Sequence, residues 1–282
     1  MLVQAKDFSP AQLEQFRQLQ YELYEILVDI SKSLEVGESE LDVTARIRKA
    51  LKPLGVRSWF HIPVALFGDR TAYPGHFGQF EARPTDRTLQ VDDAVILDAA
   101  PIIDGYLVDC SFGVPREGVN SDSFRESDLF LRELRDLIVR RANERANMRA
   151  IAFEVDDLIV ERGFVNCHKK HIGQVLGHRA SYTSMPLLAK RRIWGLSPIP
   201  VAWFFHKSRL ASKGKPEETP NWNHTRQSDT PMQDGLWCVE PHIARGDLGL
   251  KFEELLLVDG DGARYLDNNL PHTNRWKSYP KP

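Results

Sequence analysis

The sequence predicts an α+β domain built on antiparallel strands. Two observations carry this. The chain twice runs two helical segments followed by extended segments. It also holds two strand pairs closed by short Asp/Gly turns, Asp104-Gly105 and Gly246-Asp247. Runs of helices and strands in that order favour α+β over alternating βαβ units.

Taken in order, Ser9-Pro10 opens the first helix, with Gln12 three residues after the Ser9 cap. Leu13, Phe16, Leu19, Leu23, Ile26, Leu27 and Ile30 follow at helical spacing, and Gly37 breaks the run. A second helix starts near Ser39-Glu40 with Leu41, Val43, Ile47 and Leu51 inward, and Pro53 and Gly55 end it. "SWFHIPVALFG" reads as a strand, followed by a loop holding "TAYPGHFG". A third helix is expected from Phe124 to about Asn147 and a fourth from Phe153 to Arg162, ended by Gly163. The segment 182–233 is rich in Pro, Trp, Lys and Asn and shows no period; it is expected to be an irregular insertion with a functional or lid role. Residues 1–282 are read as a single domain containing that insertion.

Composition excludes several classes. The net charge of -2 and the lack of a basic stripe argue against a nucleic-acid partner. The N-terminus lacks a basic segment followed by an apolar one, and no apolar run is long enough to span a membrane. Cys110, Cys167 and Cys238 are far apart and show no CxxC pairing. Small apolar packing and a cytoplasmic location are therefore expected.

The chemistry lies in "VILDAAPIIDGYLVDCSFGV". A type I′ turn at Asp104-Gly105 sets Ile103 opposite Tyr106 and, counting outward, Asp98 opposite Ser111. Asp109 then lies on the same face, diagonal to Asp98. In "VEPHIARGDLGLKFEELLLV" a turn at Gly246-Asp247 puts Glu240 opposite Glu253. Like charges on one apolar face are unfavourable unless one is protonated or a cation lies between them. Four such carboxylates point to a divalent metal site of the Mn, Co, Fe or Zn type, commonly a bridged pair. "CHKKHIGQVLGH" adds His168, His171 and His178 within eleven residues.

The Asp98/Asp109 spacing, the downstream His-Gly segment, "VEP" with Glu240 and "KFEELLLVDGDG" with Glu253 resemble the M24 metallopeptidases. These are pita-bread-fold enzymes that include methionine aminopeptidase, aminopeptidase P and proline dipeptidase. The resemblance covers the chain from about residue 20, and "FHIPVALFGDRTAYPGH" is similar to the aminopeptidase P and prolidase side. It implies a pseudo-two-fold antiparallel sheet covered by helices. It implies two divalent metal ions held by Asp98, Asp109, one histidine, Glu240 and Glu253. It further implies that Glu240 shuttles protons and that two more histidines hold substrate, His76 being one. The histidine segment departs from the family pattern, in which the ligand His is followed by Gly at three and His at seven. Choosing His171 gives His178 at seven but Gly173 at two. Choosing Gln174 gives Gly177 at three but Ser181 at seven. Imidazole is the better donor, which favours His171 as ligand and His178 as the substrate-holding residue. His206 or His224 of the insertion is expected within reach of the site. The implied reaction is hydrolysis of an N-terminal or Xaa-Pro peptide bond, or of a small amide, by a chain that binds no nucleic acid or membrane and pairs as a homodimer. Two rivals share the fold: a small-molecule amidinohydrolase or lyase, and a metal-free peptide-binding relative.

Overall fold

The computed structural model describes residues 2–75, 81–184 and 195–279. Helix α1 (Pro10–Lys32) opens on the expected capping box. Ser9 Oγ accepts from the Gln12 amide, and the Gln12 side chain accepts from the Ser9 amide at 2.9 Å. It buries Phe16, Leu19, Leu23, Leu27 and Ile30. Helix α2 (Glu40–Ala50) repeats the device with Ser39 and Asp42. Helix α3 (Ser121–Asn143) starts slightly earlier than Phe124, because Asn120 caps the Ser123 amide. Helix α4 (Met148–Glu161) begins five residues before the expected Phe153. Asn147 supplies that cap by accepting from the amides of Arg149 and Ala150. Among the described residues, no helix is long and apolar enough to cross a membrane.

The described part of the insertion is more regular than its composition suggests. Its described part holds β8 (Tyr182–Thr183), helix α5 (Pro198–Ser212) and β9 (Asn221–Asn223). The missing period has a physical source in α5. Trp203, Phe204 and Phe205 are consecutive, so they point around the helix rather than along one stripe. Phe205 is exposed, whereas Phe204 packs on Phe60.

The strands are β1 (Val3–Gln4), β2 (Ser58–Phe67), β3 (Val95–Ile103), β4 (Tyr106–Leu107), β5 (Cys110–Val114), β6 (Val165–Asn166) and β7 (Val175–Arg179), then β8 and β9. Next come β10 (Gly235–Val239), β11 (His242–Arg245), β12 (Leu248–Asp259) and β13 (Gly262–Tyr265). A last helix, α6 (Pro271–Ser278), closes the chain. The sheet runs β1-β8-β4-β3-β5-β12-β10-β7-β9, with β2 on β3 and with β11 and β13 on β12.

Both turns set the expected registers. Asp104 and Gly105 have φ of +47° and +94°, as a type I′ turn requires. A Cβ on Gly105 would also meet the Thr183 carbonyl at 2.4 Å. Ile103 faces Tyr106 and Asp98 faces Ser111. In the second hairpin Arg245 faces Leu248 and His242 faces Lys251, while β10 pairs Val239 with Glu254. Glu240 lies between those two ladders and so falls opposite Glu253.

One apolar core lies around α1 and α2 with β2, β3 and β5. A second lies around α3 and α4 with β10 and β12. The two halves join where β5 meets β12, Ser111 opposite Glu253 and Phe112 opposite Phe252. Tyr24, buried on α1, is fastened to this seam. Its hydroxyl lies 2.6 Å from the Glu253 carbonyl and 3.1 Å from the Ser111 carbonyl. Gln20, one turn earlier, accepts from the Leu255 amide at 2.7 Å.

Removing the Tyr24 hydroxyl should therefore loosen the seam without emptying the core. Tyr24→Phe is expected to lower stability by about 1–2 kcal/mol, the usual effect of stripping a partner from a buried polar group. Urea unfolding should show a lower midpoint with an unchanged slope. An unchanged midpoint would mean the hydroxyl does not hold the strands.

Candidate metal centre

Opposite residues of an antiparallel pair share a face. Asp98 on β3, Ser111 on β5, Glu253 on β12 and Glu240 after β10 therefore form one row across four neighbouring strands. Asp109, just before β5, lies diagonal to Asp98. Asp109, Glu240 and Glu253 are buried, and only 13% of the Asp98 side chain is exposed.

Among the described residues, His61, His171 and His178 contact these acids. His178 on β7 lies opposite Cys238. Its Nε2 is 3.3 Å from Asp109 Oδ2 and 3.5 Å from Glu253 Oε1. His171 does not reach those two acids. Its Nδ1 contacts Glu240 Oε2 at 2.9 Å. The two candidates thus divide the row, and His178, expected to hold substrate, takes the position beside Asp109 and Glu253. The reason is local. Residues 168–174 do not continue a strand but fold as two 3₁₀ turns, with Gly173 at φ +79° and Gln174 at φ +53°; the strand starts at Val175. Gln174 is exposed. His76 lies outside the described residues. Of the insertion's histidines, His206 is exposed on α5, and His224 sits 3.7 Å from Asp156, beside His168.

Three residues not expected from the sequence complete the site. Lys251 is buried with Nζ 2.9 Å from Asp98 Oδ2, 3.0 Å from Glu240 Oε2 and 3.4 Å from Glu253 Oε2. It stands two residues before Glu253 on β12, so the period of two puts it on the same face. His61 on β2 has Nε2 3.2 Å from Asp109 Oδ2 and 3.5 Å from Asp98 Oδ1. Two irregularities in the β2–β3 ladder flank it and set it opposite Ala100, on the Asp98 face. His242, two residues after Glu240, accepts at Nδ1 from His171 Nε2 at 3.0 Å and donates from Nε2 to the Thr71 carbonyl at 2.7 Å. A carbonyl can only accept, so it fixes the tautomer of His242 and hence the direction of the His171 bond. One proton is left to be shared between His171 Nδ1 and Glu240.

Charge in this volume is unevenly balanced. Burial would raise the Glu240 carboxyl, but Lys251 and His171 outweigh it and hold it well below the usual range. Burial, followed by repulsion from Asp109 and Glu240, pushes Glu253 up to about 8. Asp98 Oδ1, Asp109 Oδ1 and Glu253 Oε1 are buried and make no hydrogen bond among the described residues, His61 Nε2 and His178 Nε2 standing 3.5 Å from the first and the third. Orphaned carboxylate oxygens beside imidazole nitrogens suit a divalent ion of the Mn, Fe, Co or Zn type. The donor set therefore fits a metal. Cys238 lies with His178 and Glu253 within 4.8 Å, but burial, above all, and the acids keep its thiol protonated, so it packs as a small apolar residue.

The stability of metal-free protein should therefore fall as pH rises from about 6.5 to 8. The folded state keeps a proton on Glu253 that the unfolded chain has lost, at a cost of about 1.4 kcal/mol per pH unit. His61 adds to the trend: burial opposes its charge, but Asp109 and Asp98 outweigh this and raise it. His171 and His242 are depressed by burial and act below that window. Thermal melts in chelator should show the decline, and divalent metal should flatten it. A chelated melt that rises across the window would contradict the assignment.

The model of metallopeptidase family M24 matches residues 14–260. No curated protein sequence matches the chain. Among solved structures it is similar to an X-Pro aminopeptidase from Thermotoga maritima, with a TM-score of 0.64 and 16% identity over 94% of this chain and 63% of that one. A prolidase from Pyrococcus furiosus gives 0.64 and 16% over 93% and 64%. A methionine aminopeptidase from Thermotoga maritima gives 0.58 and 12% over 93% and 99%. The chain thus spans less than two thirds of the first two and nearly the whole of the third. At these identities the likeness shows the fold, the pita-bread arrangement of helices over an antiparallel sheet. With the family model matched across both carboxylate hairpins and the strands that join them, the chain belongs to metallopeptidase family M24.

Proposed function

We propose that this chain is a divalent-metal hydrolase of amide bonds, acting on the N-terminal bond of a peptide and most specifically on an Xaa-Pro bond. The observation that carries it is the buried cluster of four carboxylates, three of whose oxygens make no hydrogen bond among the described residues and two of which face His61 and His178 nitrogens at 3.5 Å. Family membership supports a metal-dependent peptidase. The names of its structural neighbours, X-Pro aminopeptidase and prolidase, supply the substrate class. Phe60 and Phe204 pack on His178, with ring centroids 5.1 and 6.2 Å away. They give that side an aromatic wall suited to an apolar side chain or a proline ring.

Asp98, Asp109, His178 and Glu253 would hold the metal, and Glu240, His171 and His242 would carry and steer protons. Bound there, a divalent ion would polarise the scissile carbonyl and acidify water. Glu240 is placed to take a proton and pass it to the leaving amine, with His171 sharing that proton through their 2.9 Å contact. His242, locked by the Thr71 carbonyl, keeps His171 aimed at Glu240. His76 is retained as the proposed substrate-holding histidine.

A second reading is a relative that works without metal, as an amidinohydrolase-type enzyme or a peptide binder. The three ion pairs of Lys251 favour it, since an ammonium neutralises part of the row by itself. A screen of Xaa-Pro dipeptides, longer peptides and small amides, with and without Mn, Co, Fe or Zn, separates the two. Metal-dependent cleavage supports the first reading, and metal-independent turnover or binding alone supports the second.

Three variants test the residue roles. Glu240→Gln should keep the fold and lose at least about 100-fold in turnover, the typical share of general acid–base catalysis; a variant retaining a tenth of the activity would remove Glu240 from that role. His178→Ala should lose metal affinity, whereas His171→Ala should keep metal and lose turnover. Metal content measured on both decides which imidazole is the ligand, and full metal in His178→Ala would return that role to His171.

A further inference from the structure

The carboxylate oxygens of the row divide into two sets. Asp98 Oδ2, Glu240 Oε2 and Glu253 Oε2 converge on Lys251 Nζ at 2.9, 3.0 and 3.4 Å. Asp98 Oδ1, Asp109 Oδ1 and Glu253 Oε1 make no hydrogen bond among the described residues. On that second side stand two imidazole nitrogens. His61 Nε2 is 3.5 Å from Asp98 Oδ1, and His178 Nε2 is 3.5 Å from Glu253 Oε1. Both rings also flank Asp109 Oδ2, at 3.2 and 3.3 Å.

An ammonium has three donors, and Lys251 directs them at carboxylates from three separate strand positions. It is a cation among acids from both hairpins, tethered to β12, with its side chain 3% exposed. A divalent ion using the same oxygens would have to displace it. Glu240 is further committed, because its Oε2 also faces His171 Nδ1 at 2.9 Å. The oxygens left for a metal are those on the imidazole side, where His61 brings a nitrogen donor that the family pattern does not supply.

We propose that Lys251 takes the place of one of the two metal ions and that the chain binds a single divalent ion, with His61 joining Asp98, Asp109, His178 and Glu253 as a ligand. Glu240 is then a proton carrier pinned by Lys251 and His171 and not a metal ligand. This inference rests on the metal-dependent reading proposed above. It changes what that reading asks of the chain: the fixed positive charge comes from a side chain, and only one ion is exchangeable.

The test is a metal count on the full chain, treated with chelator, reloaded with excess Mn and desalted, with electron paramagnetic resonance on the same samples. Wild type should hold one equivalent and show the hyperfine pattern of an isolated Mn ion. Lys251→Met, close in volume but uncharged, should hold two equivalents with a spin-coupled spectrum. His61→Phe should weaken the single site at least about tenfold. Two coupled ions in wild type, or one equivalent in both wild type and Lys251→Met, would overturn the proposal. If Lys251→Met does not fold, the wild-type count and spectrum decide alone. If wild type takes up no Mn, Co, Zn or Fe at millimolar concentration, the metal-dependent reading itself fails and the proposal falls with it.

Discussion

The pairing of β5 with β12 is the contact on which the site depends. Each hairpin alone carries an acidic pair on one face. Only when Ser111 lies opposite Glu253 do the two pairs become one continuous row. A slip of one residue would turn one pair to the opposite face of the sheet. The fold guards this register from beneath, where Tyr24 and Gln20 of α1 bond the backbone of Ser111, Glu253 and Leu255. The apolar side chains of α1 hold that helix against the same strands.

Holding the row together has an electrostatic cost that the surrounding residues offset in stages. Lys251 neutralises one side, and His61 and His178 flank the other. The rest of the sheet shows what full compensation looks like. Glu254, next to Glu253 but on the other face, is met by Arg135 at 2.7 Å and by His272 at 2.8 Å. Arg135 and His272, from α3 and α6, hold its carboxyl below the ordinary range against burial. Glu40 is satisfied by Arg70, Thr85 and the Phe67 amide. Buried acids in this chain are thus partnered as a rule. In the cluster, by contrast, Asp98 Oδ1 and Glu253 Oε1 face imidazole nitrogens at 3.5 Å and Asp109 Oδ1 has no hydrogen bond among the described residues, an arrangement of carboxylate and imidazole donors that suits a ligand site.

Much of this was legible in the sequence because turn chemistry and the period of two are local rules. Asp104-Gly105 set the position of Asp98, and Gly246-Asp247 set that of Glu240. The same period also places Lys251 beside Glu253 and His242 beside Glu240, so both could be read from "VEPHIA" and "LKFEE". A lysine in an apolar strand is easily taken for a solvated edge residue, and only the tertiary pairing shows that it is buried. His61 was not legible, because the irregularities around it break the alternation of β2. The histidine segment is also irregular. Gly173 and Gln174 turn the backbone before β7, so His171 and His178 stand on different elements. The third and fourth helices start earlier than their apolar spacing suggests, since the asparagine caps, not the first apolar residue, set their beginnings.

The proposed site is a buried set of carboxylates built around a metal ion at Asp109. Anomalous diffraction at the zinc edge, from crystals grown with zinc, tests it most directly. A peak is expected about 2.0–2.2 Å from an Asp109 carboxylate oxygen and from His178 Nε2, the distances zinc keeps to such donors. A fully ordered row with no anomalous peak, or a peak bound by Glu240 and His171 with none at Asp109, would contradict it.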